Sequence, residues 1–203
     1  MYTPKYHQIT DRVEIIAFMK QYNFGAIVTS NNNELTATHL PFVISEEGEN
    51  LIIYGHCAKA NKQWQEMEQN TVLVIFAEPH AYVSPSHYEH KINVPTWNYA
   101  AVHAYGKVQV IENPEGIIEV MERSFDFFEP GYREQWKNLP EEYVNGLLNG
   151  VVAFKILVTD LQGKKKLSQN RTENERQVII ESFSDSNDHH EREIADLMKK
   201  LEI

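Results

Sequence analysis

The period of apolar and polar positions changes several times along the chain, and each change marks an element. Val13, Ile16, Ala17 and Lys20 recur at helical intervals behind Asp11-Arg-Val-Glu14, a capping-box spacing that predicts a helix reaching Asn23. FGAIVTS, LTATHLPFVIS and LIIYGH then alternate as strands do, and the turn-rich NNNE and EEGEN between them predict an antiparallel meander. AKANKQWQEMEQN predicts a short helix with Trp64 and Met67 inward, and the apolar Thr71 to Ala77 predicts a central strand. Pro79, Pro85 and Pro95 interrupt the next stretch, so Glu78 to Val94 reads as a long extended loop before a strand over Thr96 to Ile111, kinked at Gly106. Asn113-Pro114-Glu115 opens a helix to about Phe128, and Pro140 opens another. GVVAFKILVTDL is a last strong strand, QGKKKLSQNR reads as a basic loop, and the remainder is helical, with a capping-box spacing at Asp188 to Glu191. About six antiparallel strands with helices at their edges predict an α+β protein. Closing the meander into a small barrel would remove its edge strands.

Composition narrows the setting. With 203 residues, 42% of them hydrophobic and 11% aromatic, the chain can bury a substantial core. No apolar run approaches the roughly 20 residues that span a bilayer, and Met1 to Asp11 lacks the pattern of a signal peptide, so a cytoplasmic protein with no membrane contact is expected. The single cysteine, Cys57, permits no internal disulfide. Nineteen basic against 29 acidic residues give a formal charge of −10, a field that opposes a nucleic-acid backbone. The helices that begin near Asn113 and Pro140 are separated by EPGYREQWKNLP, far longer than the turn of a helix-turn-helix. DNA contact stays open, supported by neither charge nor motif.

Three stretches carry candidate chemistry. Lys164, Lys165, Lys166 and Arg171 reverse the local charge, and Ser168, Gln169 and Asn170 add neutral donors, a mixture suited to an anion or to a solvated loop. Lys59, Asn61 and Lys62 come directly after a strand at the start of a helix, where exposed N–H groups and the helix dipole favour phosphate. Trp97, Asn98 and His103 crowd one strand with large side chains that end in polar groups, as expected for a flat polar-edged ligand or a dimer interface. His39 stands in a strand just before Pro41. His80, His87, His90 and the DHHERE segment match no recognised metal-ligand spacing, so no metal site is assigned. His56 and Cys57, adjacent on a strand, point to opposite faces and cannot act as a nucleophile pair.

MYTPKYHQ, ATHLPF, GHCAKANKQW, PHAYVSPSHY, VPTWNYAAVHAYG and KKKLSQNR, in this order, resemble the FMN-binding negative transcriptional regulators of the PaiB type. The resemblance runs from Met1 to about Val178, and VPTWNY and KLSQNR are its most specific parts. It implies an antiparallel split β-barrel with peripheral helices, related to the pyridoxamine-phosphate-oxidase-like flavoproteins, normally a homodimer with FMN in the groove between protomers. On that reading residues 1–182 form the FMN-binding domain and 183–203 a helical tail packed on or extending from it. By resemblance, Thr38, His39 and Pro41 lie along the flavin, and His56, Lys59, Asn61 and Lys62 lie near its phosphate. Trp97, Asn98 and His103, with Lys166, Gln169 and Arg171, are candidates for the other wall. The implied function is repression of sporulation and degradative-enzyme (protease) genes, direct or indirect. The alternative is an FMN-dependent oxidoreductase, whose substrate and catalytic residues the sequence does not select.

Overall fold

The computed structural model describes residues 1–90 and 92–201. In chain order it contains β1 (Gln8–Ile9), α1 (Arg12–Gln21), β2 (Phe24–Asn31), β3 (Glu34–Pro41), β4 (Val43–Glu47), β5 (Asn50–Ala58), β6 (Thr71–Phe76), β7 (His80–Val83) and β8 (Thr96–Ile111). Next come α2 (Pro114–Phe128), α3 (Tyr132–Lys137), α4 (Glu141–Asn149), β9 (Val151–Lys166), α5 (Glu173–Ser184) and α6 (His189–Lys199). The strands are ordered β3-β2-β6-β8-β9-β5-β4, with β1 added to β9 and β7 to β8. This is the α+β class that the patterning predicts. Pairings of β1 with β9, β2 with β3 and β6, β4 with β5, β5 with β9 and β7 with β8 are antiparallel. The strands at the two ends of this path, β3 and β4, are separated in sequence by Phe42 alone.

Two compact units share the chain: Ile16–Phe76 with His103–Leu161, and Met1–Ile15 with Ala77–Val102 and the segment from Gln162 onward. In the first, the hairpin of β2 and β3 turns at Asn32 and Asn33, both with positive φ, the backbone that a two-residue turn between twisted strands requires. Pro41 ends β3, and the next amide, on fully buried Phe42, donates to Asn23 O at 2.9 Å. LTATHLPFVIS is therefore two strands rather than one. Ile117 and Val120 of α2 and Leu148 of α4 pack on Val43, Ile52, Tyr54 and Ala153. This contact holds the helical insertion against β4, β5 and β9.

In the second unit, α5 and α6 bury Ile179, Phe183, Ile194, Ala195 and Met198 against Ala81, Val83, Tyr88 and Leu167. The stretch read as a loop before Val94 thus contains a paired strand, β7, and a single 3-10 turn over Pro85–His87. Burial of Ala81 and Val83 stabilises that short strand despite its flanking prolines. The basic stretch also differs from its reading: Lys164, Lys165 and Lys166 are the last residues of β9, and Gln8 and Ile9 of β1 pair with Lys164 and Gly163. Their side chains alternate in environment, which gives a strand without an apolar signature.

β8 runs unbroken through Gly106 over the expected bounds. A Cβ at this position would lie 2.5 Å from Leu157 O and 2.6 Å from Ile156 Cγ2, so glycine permits the backbone of β9 to approach. Gly106→Ala should therefore lower stability by about 1–3 kcal/mol, read as a shifted urea midpoint with an unchanged slope.

Candidate functional site

The residues expected beside the flavin fall on two faces of β3. Thr38 points inward, donating to Gln63 Oε1 at 2.5 Å and accepting from Asn61 Nδ2 at 2.9 Å. His39 and Pro41 lie on the opposite, exposed face, where the His39 ring stacks with Phe24 at 6.2 Å between centroids. Strand alternation separates Thr38 from its two neighbours. Gln63, which sequence reasoning passed over, is the centre of the inward group: its Nε2 lies 3.1 Å from Ile27 O, 3.1 Å from Thr29 Oγ1 and 3.0 Å from Thr36 O. Asn61 Oδ1 accepts from the Gln63 amide, so Asn61 caps this turn. A polar residue two places after an asparagine was the only hint in the sequence.

The helix expected after Lys59 is one turn of 3-10 helix, Lys62–Gln65. A single turn has no significant macrodipole, and its Gln63 amide is already taken by Asn61. The dipole argument for phosphate at this junction therefore fails. What remains are the exposed ammonium groups of Lys59 and Lys62, neither in an ion pair among the described residues. Lys59 is fixed at its backbone, where N–H donates to Gly150 O at 2.9 Å. His56 is half-buried on β5, and burial lowers its pKa. A hollow of about 230 Å3 beside Lys59 and Trp64 is walled by Val110, Ile117 and Leu148. His103, on β8, has a buried Nδ1 with no hydrogen-bond partner among the described residues, and its pKa too is lowered by burial.

In the other unit Asn98 is fully buried, accepting from Ser168 Oγ at 3.0 Å and donating to Met198 Sδ at 3.5 Å. Trp97 is half exposed beside Tyr82 and His80. Lys166 donates to Thr96 Oγ1, while Arg171 donates to Asn93 Oδ1 at 2.9 Å and lies 3.7 Å over the Tyr88 ring. Gln169 is a staple: its Oε1 accepts from Leu167 N at 2.8 Å and its Nε2 donates to Lys165 O at 2.7 Å. His7 Nδ1 stands 2.9 Å from that same Oε1, and because a carbonyl oxygen only accepts, this nitrogen carries the proton. Burial is the main cause of its lowered pKa, and the charges of Lys164 and Lys166 add to it. His7 and Thr96 were not singled out from sequence, since no spacing links them to the basic stretch.

EPGYREQWKNLP separates α2 from α4 as read from sequence, but it is not all loop: it contains α3, three residues after α2. Phe125 packs on Tyr132 and Trp136 across this turn. Charge still opposes a DNA-reading role: Arg133 pairs with Glu122 and Asp126, and Lys137 pairs with Glu134. Among the described residues no group of three or more His, Cys, Asp and Glu is placed to hold a metal.

These contacts lead to two expected outcomes. Gln63→Ala leaves the acceptors around it without their donor and should cost about 2–4 kcal/mol in chemical denaturation. His7 and His56 have folded pKa values below 6.5, so the stability tied to their neutral forms is complete above that pH and is lost as pH falls through the folded values. Melting temperature should therefore drop on acidification below about pH 6.5, and the drop should shrink in His56→Gln.

Residues 1–160 match the family model described as "Putative FMN-binding domain". The chain is 38% identical over 203 residues to the protease synthase and sporulation protein PAI 2 of Bacillus subtilis, covering 98% of this chain and 97% of that protein. Among solved structures, the flavocytochrome Anf3 of Azotobacter vinelandii is similar with a TM-score of 0.63 at 14% identity, over 81% of this chain and 72% of that one. A FAD and heme binding protein of Mycobacterium smegmatis is similar with a TM-score of 0.60 at 14% identity, over 84% and 78%. These two likenesses concern the fold alone. The family match and the near full-length relative together make the chain a member of the PaiB-type family of FMN-binding-domain proteins.

Proposed function

We propose that this protein is an FMN-binding regulator that lowers expression of sporulation and protease genes, working as a cytoplasmic homodimer. The observation that carries the reading is the 38% identity to PAI 2 over nearly the whole of both chains. It extends beyond the flavin domain, through α5 and α6, so the match concerns a whole protein rather than one module.

The residues suit the cofactor in two respects. Lys59 and Lys62 supply exposed cationic groups for a phosphate. His103 offers a buried ring nitrogen with no partner among the described residues, fitted to a polar edge. When bound, FMN would supply a redox-active ring, and the residues named would hold it and orient it. A second copy fits the face of β2 and β3 on which Phe24 is 63% exposed and Leu35 74% exposed, flanked by Ala37 and Pro41. No helix among the described residues is long and apolar enough to cross a membrane.

Regulation through a protein partner or a metabolite fits the charges better than operator binding. The cations of α3 are neutralised by neighbouring carboxylates, and the chain carries a formal charge of −10. In a strain lacking the gene, the wild-type chain should restore low protease expression. Lys59→Ala combined with Lys62→Ala should bind FMN about tenfold or more weakly and fail to restore it. Full restoration by a variant with no measurable FMN affinity would separate regulation from the flavin and defeat this reading.

A further inference from the structure

The basic end of β9 holds charge that is not all neutralised among the described residues. Lys165 faces one way and pairs with Glu14 of α1. Lys164 and Lys166, two residues apart and so on the other face, take neutral acceptors only: Lys164 donates to Tyr2 O at 3.2 Å, and Lys166 to Thr96 Oγ1. Arg171 likewise has an amide oxygen, Asn93 Oδ1, and the Tyr88 ring. Among the described residues none of these three cations has a carboxylate partner, although the protein has ten more acids than bases. An acidic chain that leaves three cations unpaired in one small region, one of them 8% exposed, bears a desolvation cost that a bound anion would offset.

Lys166 and Arg171 border a hollow of about 180 Å3, and among the described residues no carboxylate lines it. Its wall includes His7, Thr96, Asn98, Lys166, Ser168 and Arg171. Ser168 has φ +59°, in the left-handed region that non-glycine residues seldom adopt, and its carbonyl accepts from Arg171 N at 3.0 Å. The turn so formed is followed by Arg171, which lines the same hollow as Lys166. At the rim, Tyr6 is 61% and Val94 72% exposed, which gives the body of a ligand an apolar surface to lie on.

We propose that this hollow is an oxyanion-binding site, in which Lys166 and Arg171 hold the phosphate or carboxylate group of a small molecule. The assignment goes beyond the flavin reading, which puts its phosphate with Lys59 and Lys62. Lys166 is also held below the usual lysine pKa by burial, with the charge of Lys164 acting in the same direction, and a bound anion relieves both. The anion has two sources of one chemistry: a free metabolite, or the phosphate of FMN itself.

Calorimetric titration of the purified full chain with inorganic phosphate, at ionic strength fixed with chloride, tests the site. FMN and riboflavin titrations run beside it, and Lys166→Met, Lys166→Arg and Arg171→Gln are compared with wild type after their melting temperatures confirm folding. The expected result is saturable phosphate binding, weakened about tenfold or more in Lys166→Met and largely regained in Lys166→Arg. Phosphate binding that persists under saturating FMN identifies a free small anion as the occupant. Competition by FMN but not by riboflavin, with FMN affinity reduced in Lys166→Met, identifies the flavin phosphate. Phosphate and FMN affinities that are both unchanged in Lys166→Met and Arg171→Gln would overturn the proposal, as would no saturable phosphate binding with unaltered FMN affinity. Phosphate binding that depends on Lys166 in a chain with no FMN affinity would uphold this site and remove the flavin reading instead.

Discussion

The close approach of two sixteen-residue strands, β8 and β9, is the constraint on which the rest of the structure depends. At Gly106 the backbone of β9 comes nearer than any side chain would allow, and the adjacent Ile156 and Phe154 are fully buried. Each strand then continues beyond that contact into the other compact unit. Continuity of β8 carries Trp97 and Asn98 at one end and His103 further on, and continuity of β9 carries Lys164 to Lys166. Trp97, Asn98, His103 and Lys166 are thus mounted on regular strands, which favours defined side-chain positions.

Polar groups inside the protein act chiefly as staples. Gln63 ties the 3-10 turn to β2 and β3, and Asn98 ties β8 to Ser168. Each is satisfied by neutral or backbone partners, so burial costs little net free energy. Lys164, Lys166 and Arg171 are the contrast, because among the described residues they lack a countercharge, the costlier arrangement.

Elements whose apolar period is clean were legible from sequence. The hairpin of β2 and β3, the strands β5 and β6, and the proline-initiated α2 match the pattern of FGAIVTS, LIIYGH, TVLVIF and NPEG closely. Elements stabilised by tertiary contact were not. β7 is flanked by prolines and was hidden until Ala81 and Val83 met α5 and α6. The end of β9 is three lysines, polar at every position, and it is a strand through pairing with its neighbours in the sheet, including β1 at Gly163 and Lys164. α3 is six residues long, too short for a period to emerge, and Trp136 holds it by packing on Phe125. The site was partly legible in the same sense: VPTWNY and KLSQNR mark the right segments, whereas Gln63 and His7 gain their roles from partners far away in sequence.

The central claim is that the fold holds FMN, and the visible absorbance spectrum of the protein purified without added cofactor, with FMN titration next, tests it most directly. The account predicts a flavin spectrum that co-elutes with the folded protein, or saturable binding that restores one at a stoichiometry of about one per chain. A colourless protein that shows no saturable response to FMN would contradict it.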